Sequence, residues 1–364
     1  MKKNKIIPFI ILLFTTLLPM GAAAKTGIEA DSDQYPDTAT FVNGKYQNRV
    51  CPDAQLRQPK TGLMIIGSGP DIRATSAFSG SPQGGTAYTE AVNAYRQQLG
   101  DSVRIYSMIL PIASAYYTPD EGKQYNTDQK ATIDGMYSRM PGVTGVDAFT
   151  ALAWHVREPI FLRTDHHWAP LGAYYAAEAF AKAAKVPFRN LSHYDKKTVH
   201  NFLGTMYTVY TKDAALGRYP EEFDYYVPRG VNYTTTAITY SLGKNRAVTG
   251  QNGPKAVSFF REYKDGSSGA YCTFMGGDSN TTTVKTSTKN GRRLLIIKDS
   301  YGNALPGYLF FSFEEIHVID FRYFPGNVKK YVKDNGITDL LFAHCISLAY
   351  SSKTGQGIQR MLYR

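Results

Sequence analysis

Five short runs constrain the fold more than anything else in the chain. Residues 62–67, 103–110, 293–299, 315–320 and 338–344 are each of strand length, and apolar side chains dominate them. Their centres, such as Leu294-Leu-Ile-Ile297, lack the alternation of a half-exposed strand. A strand that is apolar on both sides has to be covered on both sides, and helices supply that cover in α/β proteins. Helical spacing recurs between the runs. Residues 86–99 carry apolar side chains on one face and end at Gly100. Residues 128–137, 146–154 and 328–335 read as further helices. So does 170–184, with Pro170 in its first turn and Pro187 beyond its end. The order strand, helix, strand over 62–110 predicts a βαβ unit and hence a parallel sheet.

The chain has 364 residues. It begins with lysines at 2, 3 and 5, an apolar stretch to Met20, and Gly21-Ala-Ala-Ala24. This reads as a signal peptide over 1–24, and the apolar stretch falls short of the ~20 residues a spanning helix prefers. An export signal implies a periplasmic or extracellular protein, with an uncleaved membrane anchor as the alternative. Residues 25–60 are polar, broken by Pro36, Pro52 and Pro59, and read as an irregular lead-in to one domain over 61–364. Losing three lysines and no acid with the leader takes the net charge from +11 to +8. A basic exported surface suits an anionic envelope polymer better than nucleic acid, and equally suits a merely soluble basic protein. Cys51, Cys272 and Cys345 permit one disulfide at most, and spacing alone does not choose the pair. Residues 201–288 are rich in Tyr and Thr and broken by Gly and Pro, which predicts a β-rich inserted lobe.

The chemistry concentrates at Asp165-His166-His167-Trp168, in the loop between an extended run and the 170–184 helix. An acid can orient an imidazole, and an imidazole moves protons near neutral pH. The missing partner is a nucleophile. Ser300 lies just after the buried run 293–299, where a following helical turn would offer N–H groups to an oxyanion. Ser279, after Met275-Gly276-Gly277-Asp278, and Ser68, between Gly67 and Gly69, are the rivals. Together Asp165, His167 and Ser300 compose a Ser–His–Asp triad. Asn303, Tyr301, Gly277 and Arg322 are candidates for the oxyanion or substrate, and His166 and Trp168 shape the loop. Adjacent histidines raise the question of a metal, but consecutive side chains point apart and no second ligand cluster accompanies them. Neither a metal nor another cofactor is expected.

These residues also carry a resemblance. The Asp165–Trp168 stretch, Met275-Gly276-Gly277-Asp278, Lys298-Asp299-Ser300-Tyr301-Gly302 and Val318-Ile-Asp-Phe-Arg322-Tyr323 resemble the DHHW family of exported bacterial proteins. That family is similar in arrangement to the SGNH-like domains of periplasmic alginate O-acetyltransferases, which carry an Asp-x-His pair upstream of a catalytic serine. The resemblance implies an SGNH-hydrolase-like three-layer core with a parallel sheet and permuted triad order. Asp165 and His167 match the pair, and Ser300 matches the serine. The serine here stands in Asp-Ser-Tyr-Gly, whereas the alginate enzymes have a Gly-Thr-Ser-Tyr-like context. The expected function is acyl transfer, by an O-acetyltransferase or acetylesterase, on an envelope or extracellular polysaccharide. A membrane acetyl-donor system is a candidate partner. The alternatives are a non-catalytic glycan-binding or assembly protein and a metal-dependent hydrolase built on His166 and His167. The Asp-His-His-Cys palmitoyltransferases need a cysteine where Trp168 stands, and are set aside.

Overall fold

The computed structural model describes residues 40–42, 45–47, 51, 53–58, 60–244, 247–278 and 280–364. The leader, much of the lead-in and Ser279 lie outside the described residues.

Along the chain, β1 (Thr40–Val42) pairs with β2 (Lys45–Gln47). Then β3 (Leu56–Arg57), β4 (Leu63–Ile66) and β5 (Arg73–Ser76) form a small antiparallel sheet of their own. The expected βαβ unit over 62–110 is therefore corrected. Gly67 and Gly69, at φ 74° and 66°, turn the chain back after β4, and Leu63 pairs with Ser76. Only glycine adopts that left-handed backbone without strain. The first helix, α1 (Thr86–Leu99), thus follows a hairpin and leads into β6 (Arg104–Leu110).

The large sheet gathers the other buried runs. After β6 come α2 (Ser114–Tyr117), α3 (Gln129–Tyr137), β7 (Thr144–Gly145), α4 (Ala148–Ala153) and α5 (Pro170–Ala184). Next are β8 (Tyr194–Phe202), α6 (Ala214–Gly217) and β9 (Glu221–Pro228), with β8 and β9 paired apart from the large sheet. There follow β10 (Tyr233–Leu242), β11 (Val248–Ala256), β12 (Asn280–Thr286), β13 (Arg293–Lys298) and β14 (Glu315–Asp320). The chain closes with α7 (Val328–Asp334), β15 (Asp339–Cys345), α8 (Ile346–Ala349) and α9 (Ser352–Tyr363). The strand order is β11-β10-β12-β14-β13-β15-β6-β7. From β14 to β7 the neighbours are parallel, and β12, β10 and β11 continue the sheet antiparallel. Much of the Tyr/Thr-rich segment read as a lobe is thus an extension of the main sheet.

Helices cover both faces. In register, Tyr106 of β6 lies beside Leu341 of β15, and Phe342 faces the other way. Tyr95 of α1 meets Phe342 edge-on at 5.1 Å, and Phe180 of α5 meets Tyr106 at 5.3 Å. So α1 and α5 lie on opposite faces, with the sheet as the middle layer. Leu294, Leu295, Ile296 and Ile297 of β13 are fully buried, as a strand covered on both faces requires.

The parallel order also locates the site. From β13 the chain passes to β14 on one side, then crosses back to β15 on the other. The crevice at the carboxyl end of β13, where the winding reverses, is where open α/β sheets bind ligands. Among the described residues, no helix is long and apolar enough to cross a membrane.

Candidate active site

Ser300 stands one residue beyond Asp299 at the end of β13, opening a 3-10 turn over Ser300–Ala304. Asp299 caps that turn, accepting the Tyr301 N–H at 2.9 Å, and its other oxygen accepts the Cys345 N–H at 2.8 Å from β15. The serine is thereby fixed to two adjacent strands. Opposite it, the Asp-His-His-Trp stretch is the tip of a loop that closes on itself. Phe161 and Trp168 form an antiparallel bridge, and the Ala169 N–H donates to the Ile160 carbonyl at 2.9 Å. Trp168 is fully buried, and its Nε1–H lies 2.9 Å from the Tyr301 carbonyl and 3.1 Å from the Tyr271 hydroxyl. That side chain ties the loop to the serine turn.

The result is a hydrogen-bonded series. Asp165 Oδ1 lies 2.6 Å from His167 Nδ1, and His167 Nε2 lies 2.8 Å from Ser300 Oγ. Asp165 also accepts the Thr205 N–H at 2.7 Å and the Thr205 hydroxyl at 2.9 Å. Burial by itself would raise its pKa. The His167 and His166 rings and the Thr205 N–H outweigh that and hold the carboxyl below its usual range. An ionised Asp165 only accepts, so the Nδ1 proton stays on His167, and Nε2 faces the serine as an acceptor. The Tyr271 ring lies parallel to the imidazole, 3.9 Å away and 9° off. Gly204 passes so close to Asp165 that a Cβ there would stand 2.3 Å from the Asp165 Cβ.

The remaining predicted site residues separate into two groups. Asn303 is buried, and its Nδ2 donates to Asp278 Oδ1 at 2.7 Å. The amide's second hydrogen and the Ser300 N–H, at the open end of the turn, are the donors left for an oxyanion. Gly277 is not such a donor, because its N–H is spent on the Phe274 carbonyl at 3.1 Å. Nor is Tyr301, which is buried with its hydroxyl donating to the His166 carbonyl at 2.5 Å. Arg322 is held by Asp320 at 2.6 Å and Asp278 at 2.8 Å, so it is a network member rather than a free cation. Lys298, 1% exposed, completes that network against Asp320 at 3.1 Å and Asp278 at 3.4 Å. Burial would raise Asp278, but Lys298 and Arg322 reverse this and hold it low.

Ser68 precedes a 3-10 turn beside the small sheet, and among the described residues no histidine is hydrogen-bonded to it. No disulfide joins Cys51, Cys272 and Cys345. Ligand atoms of Asp165, His166 and His167 lie within 4.8 Å of one another. Those of Asp165 and His167 already serve the series above, so a cation would have to displace it.

The sequence reading missed Thr205, Tyr271 and the Lys298–Asp320 pair. Thr205 and Tyr271 carry no motif. Lys298 was visible as a charge inside an apolar run, which demands a buried partner.

Three histidines are held neutral here and elsewhere. Burial lowers His166 to about 4 with help from the neighbouring His167 ring, and burial lowers His317 to about 4 and His344 to about 3. Each lies below the 6.5 of an ordinary histidine, so the unfolded chain takes up protons first as the pH falls. Their share of stability is complete above pH 6.5 and is lost on acidification. Asp299 has the opposite sign. Burial raises it from 3.8 to about 6, so its share is complete below 3.8 and is lost as the pH rises through 6. The histidines outnumber it, and the melting temperature is expected to fall between pH 7 and pH 4.5. His344→Phe should flatten the fall, since it removes one of the buried titrating rings, losing only the 3.4 Å contact between Nδ1 and the Tyr88 hydroxyl. Differential scanning fluorimetry across pH checks both, and a pH-independent melt would refute the assignment.

A three-layer α/β core with a mostly parallel sheet and a serine at its carboxyl edge is the SGNH-like architecture. The chain belongs to the DHHW family: the family model described as DHHW protein matches residues 63–319. A solved DHHW family protein from Eubacterium siraeum is 37% identical, with 85% of this chain and 98% of that one covered and a TM-score of 0.77. PatB1 of Bacillus cereus shares the fold at 18% identity, covering 82% and 97%, with a TM-score of 0.58, and is also known with a sulfonyl adduct. The O-acetyltransferase domain of Pseudomonas putida AlgJ matches at 13% identity, 81% and 98% coverage, and a TM-score of 0.39. No curated protein sequence matches the chain.

Proposed function

We propose that this protein is an exported serine-dependent acyl-transfer enzyme, an O-acetyltransferase or acetylesterase, acting on an envelope or extracellular polysaccharide. The observation that carries the reading is the series Asp165–His167–Ser300, at 2.6 Å and 2.8 Å. His167 Nε2 takes the Ser300 proton as Oγ attacks the acyl carbonyl. The Ser300 N–H and the free Asn303 N–H meet the oxyanion. His167 then protonates the leaving oxygen, and an acyl-Ser300 remains. A sugar hydroxyl or water next gives its proton to His167 and attacks the acyl carbon. The bond to Oγ breaks, and the serine takes its proton back. The acetyl groups would come from a donor system at the membrane, in keeping with the leader at 1–24.

The test is covalent capture. The mature chain, treated with phenylmethylsulfonyl fluoride, should gain one sulfonyl group on Ser300, read by intact mass and peptide mapping. A sulfonyl adduct on the fold relative PatB1 makes this the reagent of choice. Absence of labelling, together with no turnover of a chromogenic acetyl ester, would leave the non-catalytic glycan-binding reading in its place.

A further inference from the structure

The triad uses one histidine of the pair, yet the structure prepares the other just as carefully. Each oxygen of Asp165 serves a different imidazole. Oδ1 holds His167 directly, and Oδ2 accepts both the N–H and the hydroxyl of Thr205. Thr205 has a single hydroxyl hydrogen, and Asp165, as an acceptor, consumes it. The contact of 2.5 Å between Thr205 Oγ1 and His166 Nδ1 then requires the hydrogen to sit on Nδ1. Burial keeps the ring neutral. His166 Nε2 is therefore an unprotonated acceptor, and no group among the described residues donates to it. The side chain is 31% exposed, against 8% for His167.

Its position is as defined as its tautomer. The His166 ring lies 3.8 Å from that of His167, tilted by 38°, while Tyr271 stacks on His167 at 3.9 Å. Two rings at such centre distances cannot share one face, so His167 is sandwiched between them. Tyr210, 43% exposed, stands edge-on to His166 at 6.0 Å and offers its own ring to whatever enters.

We infer that His166 Nε2 is an acceptor-binding group. It receives a hydrogen bond from a hydroxyl of the incoming sugar adjacent to the one that attacks the acyl-enzyme. The attacking hydroxyl cannot be its ligand, because that hydrogen goes to His167 Nε2 as the new C–O bond forms and the bond to Ser300 Oγ breaks. The neighbouring hydroxyl changes no bond. Two imidazole acceptors side by side thus select a vicinal diol, as found on a pyranose ring, over a lone alcohol. This rests on the acyl-transfer reading for its chemistry, but not for its binding geometry.

Two measurements test it. In the full mature chain, 15N NMR of histidine should find His166 protonated at Nδ1, and cis-1,2-cyclohexanediol should shift its Nε2 resonance where cyclohexanol does not. In the second, acetyl-enzyme formed from a chromogenic acetyl ester is partitioned between the same two alcohols. The preference for the diol should fall about tenfold in His166→Phe, the worth of one hydrogen bond. A proton on Nε2, equal shifts with both alcohols, or an unchanged preference in His166→Phe would overturn the inference. Failure of the wild type to form acetyl-enzyme, with a diol-specific shift still present, would remove acyl transfer and leave His166 as a diol-binding group.

Discussion

Ser300→Ala is expected to lower kcat/KM for a chromogenic acetyl ester by about 10⁶-fold, and Asp165→Asn by about 10⁴-fold. In the proposed mechanism Ser300 Oγ is the atom that bonds to carbon, so its loss removes the covalent route altogether. The aspartate acts through the proton on its neighbour. Its oxygens receive four donors: the His167 N–H, His167 Nδ1–H, the Thr205 N–H and the Thr205 hydroxyl. An asparagine turns one of those acceptors into a donor. Turning its NH2 toward His167 forces the ring proton onto Nε2, where it points at Ser300 and blocks the base. Because the residues act as a unit, His167→Ala combined with Ser300→Ala should be no worse than the worse single variant. Steady-state kinetics with circular dichroism as a folding control decides. Wild-type turnover by Ser300→Ala would remove the nucleophile, and multiplying losses in the double variant would remove the triad.

The second large effect is on stability. Asp320→Ala should cost about 3–5 kcal/mol, the usual consequence of stranding a buried charge. Asp320 is buried at the end of β14 and accepts from Lys298 Nζ at 3.1 Å, Arg322 Nε at 2.8 Å and the Arg322 N–H at 3.0 Å. Without it, Lys298 keeps only the longer contact to Asp278, although its side chain is 1% exposed. Arg322 is partly exposed, and water can rescue it. Removing both buried members together, as Lys298→Met with Asp320→Asn, should recover most of the loss, since no unpaired charge remains. Equilibrium urea unfolding measures both variants. A loss below about 1 kcal/mol in Asp320→Ala would mean that water reaches the ammonium group.

The two halves of the site differed in how far they could be read in the sequence. The run from Arg293 to Lys298 could only be a covered strand, and a serine two residues past its end had to lie at the sheet edge. Pro170 set the start of α5, so the Asp165–Trp168 stretch had to lie in the loop before it. What brings the loop and the edge together was not legible. That work falls to Trp168 and Tyr271, whose polar tips meet the Tyr301 carbonyl, and to Thr205 beneath Asp165. Such contacts depend on packing between distant segments and leave no periodic trace. The misplaced run, residues 62–67, failed for a related reason. Its apolar pattern is the same for a strand of either sheet, and the glycine turn after it carried the deciding information.

The acid and base sit two residues apart, on a loop closed by its own Phe161–Trp168 bridge, and the serine joins them across 133 positions of chain. Local segments form early in folding and distant pairings late. The proposed nucleophile is therefore silent until β13 has docked between its neighbours, and the unfolded chain carries no activated serine. Return of sulfonyl reactivity during refolding would then mark the moment when the sheet, rather than the loop, is complete.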